Sequence, residues 1–170
     1  MRSAPPLATI PVGVLVERTK AVGQWSDFLW RATGILTGVP DTQPWTKLTD
    51  DGDRVRFYAG AAEIELYRTE TGNYRDNLAT GEPQLWVVLR ATESDPPYDL
   101  FGVTADPAEG EAMTEAGSDL VEPVPMPAAI QDAIARFIAE HHVERQFSKR
   151  KRDRANSEAL ARRRAGDGSE

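Results

Sequence analysis

Arg54-Val-Arg-Phe-Tyr-Ala-Gly-Ala-Ala-Glu-Ile-Glu-Leu-Tyr-Arg68 is the stretch whose reading decides the fold. Both of its halves alternate polar and apolar residues with period two, the mark of a strand with one buried face. Read as a hairpin about Ala59-Gly60, it sets Arg56 opposite Glu63 and Arg54 opposite Glu65. Val55 then faces Ile64 on the other side. Opposite charges on one face and apolar pairs on the other support that register and an antiparallel sheet. Ala-Gly is not a favoured turn dipeptide, so the type of turn stays open.

Toward the N-terminus, Ile10-Pro-Val-Gly-Val-Leu-Val-Glu17 is β-branched and predicts a strand, with Pro11 near its start where a strand tolerates proline. Ala21 to Asp27 reads as a turn or short helical piece, and Phe28 to Leu36 as a second strand. Thr37 to Asp53 carries Pro40, Pro44 and Asp50-Asp51-Gly52-Asp53, which predicts a long loop ending in a turn. Toward the C-terminus, Thr69 to Ala79 predicts a short helix capped by Thr69 and ended before Gly81. Gln84-Leu-Trp-Val-Val-Leu-Arg90 is the most continuous apolar run and the candidate for the centre of the sheet, with Trp86 in the core. Tyr98 to Thr104 is a further strand.

Asp106-Pro107-Ala108-Glu109 has the form of a helix start: an Asp cap, Pro at the first helical position, and Glu to complete a capping box. Gly117 ends that helix, and Leu120 to Val124 is a last short strand. A longer helix starts at Pro127, with Ile130, Ile134, Phe137, Ile138 and His141 at three- and four-residue spacing. The fold class expected is α+β: a mostly antiparallel sheet of about six strands with two or three helices, the longest C-terminal, followed by a basic tail. Residues 9–145 are expected to form a single globular domain, and 146–170 a mobile basic tail.

Charge divides the chain in the same place. Residues 141–170 hold nine Lys/Arg and five Asp/Glu, a net +4, while the other 140 hold 11 and 22, a net -11. The body should repel nucleic acid and anionic surfaces, and the tail should attract them. The absence of cysteine excludes disulfides, thiolate metal sites and thiol nucleophiles, and it suits a cytoplasmic location. The apolar run from Ile10 to Val16 is too short for a span and leads into Glu17 and Arg18, so neither a signal peptide nor a membrane span is expected.

Several residues invite a chemical reading. His141 and His142 with Glu144 suggest a metal site, but adjacent helical side chains point about 100° apart, and His141 continues the apolar stripe. Asp50, Asp51 and Asp53 lack the ligand pattern of a calcium loop and read as a solvated turn. Glu63 and Glu65 share one strand face and could form an acid/base pair. With Arg54 and Arg56 opposite, a charge ladder is the default. No phosphate loop, dinucleotide fingerprint or nucleophile elbow is present. No catalytic residue, metal site or cofactor is assigned.

The candidate partner-binding residues are Arg145, Phe147, Lys149, Arg150, Lys151, Arg152 and Arg154 of the basic run, with Trp25 and Trp45 of the loops as a second patch. The run could grip an acidic partner, a membrane face, or nucleic acid through its phosphates. No aromatic residues interleave with the charges, which disfavours stacking on single strands.

Ile10-Pro-Val-Gly-Val-Leu-Val-Glu-Arg18, Trp30-Arg31, Leu66-Tyr-Arg68, Val87-Val-Leu-Arg90, Thr104-Ala-Asp-Pro107, Glu140-His-His-Val-Glu144 and the closing Phe147-to-Arg154 run form one pattern. Over about residues 8–155 it resembles an uncharacterised bacterial family, the domain of unknown function numbered three-three-zero-five. The resemblance implies an accessory role beside molybdenum-dependent formate dehydrogenases. The partner it implies is a dehydrogenase subunit or maturation factor. A molybdopterin-guanine dinucleotide synthesis label borne by some members does not fit, because the nucleotide loop such a transferase needs is missing. The expectation is therefore a non-enzymatic accessory protein. The alternatives are a nucleic-acid-binding regulator using the tail, and a small enzyme or carrier with an unrecognised site.

Overall fold

The computed structural model describes residues 4–21 and 28–142. The chain is α+β, with seven antiparallel strands divided between two sheets rather than about six in one. The four-stranded sheet has the order β2-β1-β4-β3, from β1 (Ala8–Lys20), β2 (Phe28–Thr37), β3 (Thr46–Asp50) and β4 (Arg54–Leu66). The three-stranded sheet has the order β6-β5-β7, from β5 (Gln84–Ala91), β6 (Tyr98–Thr104) and β7 (Asp119–Pro125). A 3-10 turn (Arg68–Glu70) leads into α1 (Thr71–Ala79), and α2 (Pro107–Ala116) joins β6 to β7. A third and longest helix, α3, covers residues 128–142. No helix of the described residues is long and apolar enough to cross a membrane.

The deciding stretch is a strand but not a hairpin. β4 runs straight through Ala59-Gly60 and pairs along β1, from Leu66 opposite Ala8 to Arg54 opposite Thr19. The register slips where Val14 faces Gly60 and Leu15 faces Tyr58, leaving Ala59 as the extra residue of a β-bulge. A bulge shifts the alternation by one residue. Val55 and Phe57 point inward before it, and Ile64 and Leu66 after it. A two-residue turn gives the same phase change, which is why the sequence pattern reads both ways. Gly60, with φ 140°, supplies backbone that an L-residue resists.

The charge ladder moves accordingly. Arg54 and Arg56 do not face Glu65 and Glu63; the Nε of each lies 3.3 Å from a different oxygen of Glu17 on β1. The true hairpin lies one turn earlier. Asp50-Asp51-Gly52-Asp53 joins β3 to β4, with Gly52 N donating to Asp50 Oδ1 and Arg54 N to Asp51 Oδ1. β3 falls within the expected loop of 37–53: its five residues, Thr46 to Asp50, show no apolar alternation, and the structure leaves them exposed or half-buried.

The core lies between the sheets. Val12, Val14, Val16, Ile64 and Leu66 from one meet Leu85, Val87, Leu89, Val103 and Val124 from the other. Each such aliphatic side chain, fully buried, contributes about 1.5–3 kcal/mol. β5 is central in its own sheet, as its unbroken apolar run predicts, but that sheet is the smaller one. Ile130, Ile134 and Phe137 of α3 are buried in the same cluster, and Phe137 meets Tyr74 of α1 edge-on at 6.3 Å. Trp86 departs from its expected place. It is half-buried on the other face of β5, beneath α2, where a Cβ on Gly110 would lie 2.5 Å from its ring. Glycine at 110 is what lets this helix sit on the tryptophan.

Candidate functional site

Beyond Tyr58, β4 has no partner on its β3 side among the described residues, and there it approaches β6. An open groove of about 620 Å³ lies along this seam. Glu63 and Glu65 from β4, with Tyr67 just past its end, line one wall, Phe101 to Thr104 line the other from β6, and Glu109 and Met113 close it from α2. The backbone stays extended at Tyr67, so alternation along β4 and into this residue places the three in a row, because residues two apart share a face. Three carboxylates and a phenol therefore line the groove together with the apolar side chains of Phe101 and Met113. Tyr67 Oη donates to Glu65 Oε2 at 2.5 Å, which orients that carboxylate. Phe101 is half exposed, and the Arg90 guanidinium covers its ring at 3.8 Å while bonding both oxygens of Asp119.

The helix starts behind the groove form a polar hub. Asp106 caps α2 as its sequence predicts, accepting from Ala108 N at 2.9 Å, with Pro107 in the first turn. Its own N–H, which a capping box would aim at Glu109, donates to Thr104 Oγ1. Asn73 Nδ2 donates to both Asp106 Oδ1 and Glu70 Oε2, each at 3.1 Å. Burial pushes the Asp106 carboxyl above the ordinary carboxylate range, and the charges of Glu70 and Glu109 push it the same way. Backbone N–H donors from Ala108 and Glu109 oppose them. Buried Asn77 locks the frame: its Nδ2 donates to Gln84 O and Ala105 O, and its Oδ1 accepts from Gln84 N. The starts of β5 and α2 are thereby held against α1.

The expected candidates fall in different places. His141 and His142 diverge, as adjacent helical residues should. The His141 ring packs 4.5 Å from Phe137, while His142 Nδ1 lies 2.9 Å from Thr71 Oγ1. Among the described residues no group of three metal-ligating side chains is gathered. The aspartates of 50–53 form the solvated turn that was expected. Asp50 is held below its usual range, first by the Gly52 N–H and then by Lys47, 3.0 Å away.

Trp45 is half-buried and packs edge-on to Trp30 at 6.1 Å and to Phe57 at 6.0 Å. Trp30 also stacks on Phe57 at 5.7 Å and meets Tyr98 at 5.9 Å. Exposed apolar surface beside this cluster comes from Phe28 and Leu29. Trp25, Arg145, Phe147, Lys149, Arg150, Lys151, Arg152 and Arg154 lie outside the described residues, as do most of the Ala21–Asp27 turn and the whole tail from 146 to 170.

Sequence reasoning found Glu63 and Glu65 as a same-face pair but assigned them the wrong neighbours. It did not find Tyr67, Thr104 or Glu109 as members of a site. The row Glu63, Glu65, Tyr67 was visible in the alternation. That the first turn of α2 closes over it is a matter of tertiary packing.

Comparison with curated proteins and with solved structures finds no match. A family model described as a protein of unknown function, DUF3305, matches residues 11–151, a span that takes in the whole described body from Pro11 onward and part of the basic run. The chain belongs to the DUF3305 family.

Proposed function

We propose that this chain is a non-enzymatic accessory protein that binds a peptide segment of another protein. The observation that carries this reading is the groove between β4 and α2. It is open, it carries the apolar side chains of Phe101 and Met113, and three carboxylates stand on backbone held by strand pairing and a helix cap. That combination suits an extended segment with basic side chains. Such a segment would set its charges against Glu63, Glu65 and Glu109 and its stems along Phe101 and Met113. The sequence of the run Arg145–Arg154 carries charge of the opposite sign. The sequence resemblance supports a partner in molybdenum formate dehydrogenase maturation, either an enzyme subunit or a cofactor-loading factor.

Affinity capture from the natural host tests this. The intact chain should co-purify a formate dehydrogenase subunit or loading factor. A chain carrying Glu65→Lys and Glu109→Lys should lose it while keeping its far-ultraviolet circular dichroism. If the dehydrogenase never co-purifies and a deletion strain oxidises formate normally, the accessory reading fails. Salt-dependent binding of random duplex or RNA instead would favour the regulator.

A further inference from the structure

The groove and the basic run are opposite in charge. The ten residues 145–154 hold six Lys/Arg and one Asp. The last described residue, His142, is tied to Thr71 at 2.9 Å. Tyr67, in the groove wall, is four residues before Thr71, at most about 14 Å of chain. On the other side, Thr71 adjoins Glu70, which shares the amide of Asn73 with Asp106, and Glu109 of the groove lies in the turn that Asp106 caps. Extended chain from 142 reaches residue 145 within about 10 Å and residue 154 within about 40 Å. The run can therefore lie along the groove without strain on α3.

We propose that the basic segment Arg145–Arg154 docks in cis into the groove between β4 and α2, as an internal ligand that a partner's basic segment must displace. This rests on reading the groove as a peptide site and adds its regulation. Only residues 143 and 144 join the last described residue to that segment. A short tether of this kind gives an effective concentration on the order of millimolar. A contact too weak to form between separate molecules is then substantially occupied within one. A partner then succeeds only where it outcompetes the tail, and its binding releases the basic run to grip acidic surface elsewhere on the same partner.

Zero-length carbodiimide coupling of the purified full chain tests this without any partner. Unlabelled and nitrogen-15-labelled chains are mixed in equal amounts, and coupling is run at about 50 mM and about 1 M salt, where the screening length falls to about 3 Å. The Lys47–Asp50 pair, 3.0 Å apart, reports that the reaction worked. We expect Lys149 or Lys151 joined to Glu63, Glu65 or Glu109 within one isotope. Those products should fall at least fivefold at high salt and in a chain carrying Glu65→Gln and Glu109→Gln. Mixed-isotope products would place the tail in a neighbouring molecule and overturn the proposal. So would coupling to Asp41, Glu93 or Glu122 as often as to the groove acids, or no groove product while Lys47 couples. Partner capture is read separately, so a failed cis contact leaves the groove's role to the host experiment.

Discussion

Asp106 shows how one side chain serves two purposes. It caps α2 through the Ala108 N–H and anchors Asn73, and it does so at 3% exposure. Replacing it by Ala removes the cap, and Asp106→Ala should lower stability by about 0.5–2 kcal/mol in urea unfolding. Asp106→Asn keeps an acceptor oxygen and removes the charge. Because the folded carboxyl titrates above its ordinary value, the folded state takes up this proton before the unfolded state as pH falls. The penalty of ionisation is relieved on going down through that window and returns on going up. Asp106→Asn should therefore match or exceed the parent at pH near 7, and its advantage should shrink toward pH near 4. An advantage that grows with acidity would reverse the assigned sign.

At the level of elements, β4 carries the most consequential feature, the bulge at Ala59-Gly60. Gly60 has φ 140°, yet an added Cβ would meet Pro44 only at 3.6 Å, an ordinary contact. The cost of Gly60→Ala is thus backbone strain rather than collision, about 1–3 kcal/mol. It should appear as a lower urea midpoint with an unchanged slope. An unchanged midpoint would mean the strand can flatten the bulge. The bulge matters for the groove because it sets the phase of everything after it. Without the extra residue, Glu63, Glu65 and Tyr67 would turn toward the core, and Ile64 and Leu66 would turn outward.

Across the whole molecule, one core joins both sheets and α3. Val14, Leu85 and Ile134 come from three separate parts of the chain and share that cluster. Leu85→Ala and Ile134→Ala should each cost about 2–5 kcal/mol and shift the same transition. Tryptophan fluorescence and far-ultraviolet circular dichroism should trace coincident curves. Two resolved transitions would show that the sheets melt separately. The groove lies on the seam between those sheets, so its shape depends on their remaining docked.

The sequence by itself determined the strands with clear alternation or unbroken apolar runs, the start of α2 at Asp106-Pro107 and its end at Gly117, and the apolar stripe of α3. These are local: caps, dihedral preferences and periodicity are properties of neighbouring residues. It also determined that charge changes sign near residue 141. Only the tertiary structure decided that β4 is one strand, since a bulge and a turn leave the same phase shift in the alternation. It placed β3 where no alternation marks a strand, because pairing with β4 stabilises backbone that side chains do not. It gave Arg54 and Arg56 to Glu17, 37 and 39 positions away, rather than to the nearer glutamates. By that exchange Glu63 and Glu65 were left to face α2, and a groove arose from residues that no local pattern connects.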